Sequence, residues 1–269
     1  MTLPDKQNCS FFLGGHDLEM LTILELLKAN GIAAKDIFDK QLAWGAAADD
    51  YRQEIQSCFE YGRAPVLIEL ADREGKYHNR AIVIDHHNES AGQDVPTSLH
   101  QVFDLLGLAK NAWTRWHELV AANDRGYIPA LLAVGATQQE IQDIRAADRA
   151  AQGVTPEEEK LCEDALTRLE YLLEGSLVIA RLPHNRTSPL CDRLEPALGG
   201  AGYRNLLVFC PREVNFFGSG RLVEQLAGSF PGCWYGGALP EYGFWGMQGT
   251  EKDLREKLLE RLSSPAIRL

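Results

Sequence analysis

The sequence predicts an α/β protein: a parallel-sheet N-terminal domain with helices on both faces, a helical connector and a smaller α/β C-terminal domain. Three observations predict it. In the first half, short apolar runs alternate with helix-spaced segments, the pattern of parallel strands joined by crossover helices. In the middle, Thr137 with Glu140 and Thr155 with Glu158 form two capping boxes ahead of polar helical stretches. At Leu177 strand and turn signals resume. The boundaries drawn from these are 1–135, 136–175 and 176–269.

The elements follow in order. Cys9–Leu13 is an apolar strand that stops at Gly14-Gly15. Asp17–Ala29 has helical spacing through Leu18, Leu21, Leu24 and Leu27, and ends at Asn30-Gly31, a left-handed C-cap signal. Pro65–Leu70 and Ala81–Ile84 read as buried strands. Thr97 or Ser98 starts a helix through Val102 and Leu106, and Asn111–Ala122 forms another. A helix runs from Pro156 to about Glu174, with proline at its first position. Strand Leu177–Leu182, helix Ser188–Leu198, and strands Leu206–Cys210 and Val214–Phe217 follow. Gly218-Ser219-Gly220-Arg221 reads as a turn before an apolar helix. Cys233–Gly246, rich in glycine and aromatics, reads as an edge strand and loop that could also stack a base. Thr250 caps a final helix, Glu251–Leu262.

Composition narrows the function classes. The chain has 269 residues and a net charge of −11, which disfavours a protein coating duplex DNA. Residues 181–221 run against this trend, with six arginines against three acids, a local +3 that leaves −14 for the rest. Such an island suits a small anion such as phosphate. No run of 18 apolar residues occurs, so no membrane span is expected. The opening Met-Thr-Leu-Pro-Asp-Lys-Gln has no signal-peptide core, and six scattered cysteines lack Cys-x-x-Cys spacing. The expectation is a cytoplasmic protein with reduced thiols.

The most informative stretch is Arg80–His87, in which the apolar run Ala81–Ile84 ends in Asp85, His86 and His87. The carboxyl ends of strands are where open α/β sheets bind ligands. A carboxylate and two imidazoles there suit a divalent ion such as manganese, zinc or iron. Gly218, Ser219, Gly220 and Arg221, with His184 and Arg186 upstream, form a candidate anion site. His78, His100 and His117 sit in no motif and read as structural or surface residues.

These residues resemble the DHH phosphoesterase superfamily, named for Asp-His-His at a strand end, over nearly the whole chain. The resemblance implies a larger α/β domain, a connector, and a smaller domain whose glycine-rich loop contacts substrate, here Gly218–Arg221. It also implies two manganese or similar ions held by four motifs. Asp85-His86-His87 is the third motif, with Asp85, His86 and His87 catalytic, and Asp124 is the fourth. The first motif falls on Asp17 and Glu19, but its histidine position is Leu13, with His16 three residues later. The second falls on Glu69, with Asp72 as a rival. The implied metal ligands are Asp17, Glu19, Glu69, Asp85, His86, Asp124 and His16. Two ions of this kind would acidify a water and clamp the attacking and leaving oxygens of a phosphate ester. The implied activity is hydrolysis of a phosphate ester in a nucleotide, a short single-stranded oligonucleotide or another small phosphorylated molecule. The altered first motif leaves one ion, two ions, or a weak or inactive module binding a nucleotide-like anion between two domains all open. A homodimer is compatible with the sequence.

Overall fold

A computed structural model of the chain describes residues 6–42, 45–72, 74–77, 79–87 and 95–263; His78 lies outside them. The described residues form two compact units, one of residues 6–86 and 95–124, the other of His87 and residues 125–263.

The first unit holds a four-stranded parallel sheet in the order β2-β1-β3-β4. Its strands are β1 (Cys9–Leu13), β2 (Ile37–Asp39), β3 (Ala64–Ile68) and β4 (Ile82–Ile84). All five β1 residues are buried, as expected of a central strand covered on both faces. Helix α1 (Leu18–Ala29) carries the chain to β2 on one side of β1, and α2 (Arg52–Glu60) precedes β3 on the other. The chain therefore reverses direction across β1 and β3, and the crevice at their carboxyl ends is the favoured ligand position. Tyr51, Ile55 and Cys58 pack on Phe12 and Leu67. Helix α3 (Ser98–Leu105) packs against α1. Helix α4 (Arg115–Ala133) breaks at Gly126 and Tyr127, directly after Asp124 and Arg125.

The second unit is a six-stranded mixed sheet in the order β5-β6-β7-β8-β10-β9. The strands are β5 (Glu170–Leu172), β6 (Leu177–Arg181), β7 (Leu206–Phe209), β8 (Glu213–Ser219), β9 (Trp234–Gly236) and β10 (Tyr242–Gln248). Only β6 and β7 pair in parallel. Alternation along β6 sends Leu177 and Ile179 to a core with α8 (Gly220–Ser229) and α9 (Glu251–Leu262). Val178 and Ala180 face the opposite core, with Cys162 of α6 (Pro156–Leu166) and Leu190 of α7 (Ser188–Leu194).

Under this sheet Asp192 accepts from Arg145 of α5 (Gln138–Ala151) at 2.8 Å and from the Tyr127 hydroxyl at 2.6 Å, and pairs with Arg149. Both predicted capping boxes form.

Several elements differ from the sequence reading. The helix from Pro156 stops at Leu166, and Glu170–Leu172 turns back as a strand against β6, with Leu173, Glu174 and Gly175 at positive φ. The helix at Ser188 ends at Leu194, ahead of Pro196, which disfavours helical backbone in the residue before it. The helix expected from Asn111 starts at Arg115. Gly218 and Ser219 are not a turn but the end of β8, which enters α8 directly at Gly220.

Candidate metal centre

The centre is built at the β1–β3 crevice of the first unit. After Leu13 the chain turns through Gly14, where a Cβ would lie 2.2 Å from the Glu69 carbonyl oxygen. Only glycine permits that approach. Asp17 is the N-cap of α1, its Oδ1 accepting from the Met20 N–H at 2.9 Å. Its Oδ2 and Glu69 Oε2 both lie beside Gly15, 3.4 and 3.8 Å from where a Cβ would stand. Glu19, in the first turn of α1, is buried, and its Oε1 accepts from the Leu99 N–H at the start of α3 at 2.9 Å. Glu69 follows β3 with φ +52°, a left-handed conformation for a non-glycine residue, of the kind that gathers at functional sites. Its N–H donates to the Ile84 carbonyl at 2.8 Å, tying it to the strand that delivers His86.

Three carboxylates converge on one imidazole. His86 Nε2 lies 2.6 Å from Asp124 Oδ2, 3.4 Å from Glu69 Oε1 and 3.5 Å from Glu19 Oε2. All four side chains are at most 8 % exposed. Burial works against the His86 cation, but Asp124, Glu19 and Glu69 overcome it and hold the ring protonated far above its usual range. Burial first, then the charge of Glu19, pushes the Asp124 carboxyl up to about 7 against the pull of His86. Burial also acts to raise Glu19, yet His86, the Leu99 N–H and Thr97 hold it at about 2. One imidazole cannot satisfy three buried carboxyl groups, so a dication fits this donor set better than protons do. Oxygen donors with one nitrogen suit a divalent ion of the manganese, iron or zinc type. Ligand atoms of Glu69, His86 and Asp124 lie within 4.8 Å of one another, the spread one ion can span.

The predicted residues sort as follows. Glu19, Glu69, His86 and Asp124 come together, and Asp17 Oδ2 and Glu69 Oε2 both lie near Gly15. Asp85 is half-buried, its carbonyl accepting from Gln101 Nε2 at 3.1 Å, and His16 is half-buried. His87, buried, belongs to the second unit, where its ring packs on Phe244 at 5.9 Å and beside Gly236. His100 stacks on Trp113 at 4.1 Å, and Trp113 also packs on His117. Sequence reading missed the Leu99 N–H and Thr97, which hold Glu19, because a backbone donor leaves no residue-type signal.

The arginine island does not act as one surface. Arg181 pairs with Glu170 and Glu251, and Arg193 with Glu159 and Glu163. Gly218 abuts Arg204 and Asn205 at the start of β7, whereas Glu213, at the other end of β8, feels the charge of Arg186. β8 is seven residues long, so its ends are roughly 20 Å apart at about 3.4 Å per residue. Arg221 and Arg186 are therefore at opposite ends of the sheet. His184 sits with Arg186, accepting its N–H at 3.2 Å. The Ser219 and Gly220 N–H groups donate to Asn205 Oδ1 and the Glu241 carbonyl, at 3.1 and 3.2 Å. Both of these N–H groups are thus hydrogen-bonded within the second unit.

No family model and no curated protein sequence matches the chain. Among solved structures, it is similar to an exopolyphosphatase-related protein from Bacteroides fragilis, with a TM-score of 0.51 and 13 % identity over 95 % of this chain and 92 % of that one. It is also similar to RecJ from Thermus thermophilus in complex with Mn2+, with a TM-score of 0.50 and 14 % identity over 97 % of this chain. That match spans 52 % of the RecJ chain, about half its length. The chain shares its fold with these two proteins. Among the described residues, no helix is long and apolar enough to cross a membrane.

Proposed function

We propose that the protein is a metal-dependent phosphoesterase acting on a nucleotide, a short single-stranded oligonucleotide or another small phosphorylated molecule. The observation that carries this reading is the convergence of Glu19, Glu69 and Asp124 within 3.5 Å of His86 Nε2 at the β1–β3 crevice, in a fold shared with RecJ and the exopolyphosphatase-related protein. Glu19, Glu69, His86 and Asp124 would hold the ion, with Asp17 adjoining. Bound there, a divalent ion such as Mn2+ supplies positive charge against the phosphate and a more acidic water as nucleophile.

The protein's own groups do the rest. Leu99 fixes the Glu19 carboxylate through its N–H, so that ligand arrives oriented. Asp85 and His87, flanking His86 in the chain, are assigned to the reaction, His87 as a proton donor to the leaving oxygen. Arg221, at the end of the second sheet where His87 packs, is assigned to the anionic part of the substrate. Its planar fork matches phosphate oxygens.

A second reading is favoured by Leu13, which is 1 % exposed in β1 at the position where the resemblance expects a histidine ligand: a module that binds a nucleotide-like anion without hydrolysing it. The test is hydrolysis by chelated protein with Mn2+ added back, against dinucleotides, single-stranded oligonucleotides, nucleotides and polyphosphate. Mn2+-dependent release of phosphate or nucleotide that is lost in Asp85→Ala and Asp124→Asn supports the enzyme. Saturable nucleotide binding with no product over the whole panel supports the module.

A further inference from the structure

We propose that the centre holds a single divalent ion, ligated by Glu19, Glu69, His86 and Asp124, and not a pair; the proposal rests on the metal reading above.

The span of the donors argues for one ion. Two ligands on opposite sides of one ion, each at about 2.2 Å, stand about 4.4 Å apart. Ligand atoms of Glu69, His86 and Asp124 fall within 4.8 Å of one another, and Glu19 Oε2 lies 3.5 Å from His86 Nε2. A pair of ions about 3.5–4 Å apart would need donors spread over roughly 8 Å. Among the described residues, no second, separate group of three or more His, Cys, Asp or Glu side chains comes close enough to hold an ion.

The side on which a second ion would sit has lost its nitrogen. Leu13 is buried in β1, in register with Asp39 and Ile68, and offers only carbon. Asp17 commits Oδ1 to capping α1, and its Oδ2, like Glu69 Oε2, lies near Gly15. Two carboxylate oxygens fall short of the three or four protein ligands a bound transition ion takes. The glutamates point the same way. Each reaches one methylene further than an aspartate, so Glu19 and Glu69, carried by different elements, close on His86 Nε2 at 3.5 and 3.4 Å. That draws the donors inward around one point.

The experiment is titration of chelated full-length protein with Mn2+ by calorimetry and equilibrium dialysis, with electron paramagnetic resonance of the loaded protein. One Mn2+ per chain, with the six-line signal of an isolated ion, is expected. Asp124→Asn and Glu19→Asp, each checked for a wild-type circular dichroism spectrum, are expected to weaken that binding at least tenfold. Two Mn2+ per chain with an exchange-coupled spectrum would overturn the single-ion proposal and leave the metal-dependent reading standing. No Mn2+ binding would overturn both. Unchanged affinity in folded Glu19→Asp would remove Glu19 from the ligand set and overturn the proposal as stated.

Discussion

His86 Nε2 lies 2.6 Å from Asp124 Oδ2, joining the end of β4 to the last residues of α4 before its break. The two are 38 positions apart in sequence. Their meeting brings an imidazole among three carboxylates, a donor set suited to a divalent cation rather than a lone salt bridge. A single buried ion pair contributes little net stability, and a surplus of buried carboxylates costs stability until a cation arrives.

Metal-free protein should lose stability as pH rises through neutrality. Asp124 is raised from 3.8 to about 7, so the folded state holds a proton between about pH 4 and 7 that the unfolded state has released. Its contribution favours folding at low pH and fades as pH rises through that window. His86 is also raised; its contribution is complete below its ordinary value near 6.5 and is lost only as pH climbs through its folded value. Glu19 is lowered to about 2, so it acts oppositely, but only below its ordinary 4.5. Thermal denaturation of metal-free and Mn2+-loaded protein between about pH 5.5 and 8 should show Tm falling with pH without metal and holding with it. A parallel pH profile in both would count against the coupling.

Metal binding should release protons. The ion displaces the proton that Asp124 holds up to about pH 7, so affinity should drop on acidification below that value. Calorimetry at about pH 6.5 in buffers of different ionisation enthalpy measures the number released. The expected result is a release greater than at about pH 8.

Much of the first unit is legible in sequence because its strands are continuous apolar runs and α1 is bracketed by Asp17 and Asn30-Gly31. β2 is not, since three residues, Ile37–Asp39, carry too little pattern. Glu170–Leu172 is also hidden. Its residues continue a helical spacing, and only pairing with Leu177–Ile179 makes them a strand. Asp85-His86-His87 marks the place of the centre, and Glu69 and Asp124 could be named from the resemblance. Their convergence depends on the carboxyl ends of β1 and β3 meeting, which no local pattern specifies. Arg186 and Arg221 read as one island because they are close in sequence, yet β8 separates their surroundings.

Gly14→Ala should damage fold and centre together. Its Cβ would meet the Glu69 carbonyl oxygen at 2.2 Å, and backbone cannot swing aside as a flexible side chain can. A cost of about 1–3 kcal/mol is expected, measured as a lower urea midpoint, with weaker Mn2+ binding because Glu69 is displaced. A variant that matches wild type in both would contradict the close approach.

Asp192→Ala should unsettle the second unit. Asp192 is 5 % exposed and takes hydrogen bonds from Arg145 and Tyr127 and an ion pair from Arg149. Its removal takes one carboxylate from Arg145, itself buried and also paired with Asp148. A loss of about 3–5 kcal/mol in chemical denaturation is expected.

Arg221→Ala and Arg186→Ala should differ. Loss of one charge-assisted contact costs about 1.5–3 kcal/mol, so Arg221→Ala should raise KM at least about tenfold with kcat little changed. Arg186, near Glu213 at the far end of β8, should leave KM within about twofold, a difference worth less than about 0.5 kcal/mol. Steady-state kinetics on one hydrolysed substrate decides between them, and equal effects would refute the assignment.

The central claim is that Glu19, Glu69, His86 and Asp124 form a metal centre that works on phosphate esters. Its most direct test is hydrolysis of a dinucleotide by wild type and Asp124→Asn after chelation, with and without added Mn2+. The account predicts activity in wild type only when Mn2+ is restored, and a loss of at least about a hundredfold in Asp124→Asn, equivalent to about 2.7 kcal/mol of transition-state stabilisation. Equal turnover by both proteins, or turnover by wild type that ignores chelation and Mn2+, would contradict it.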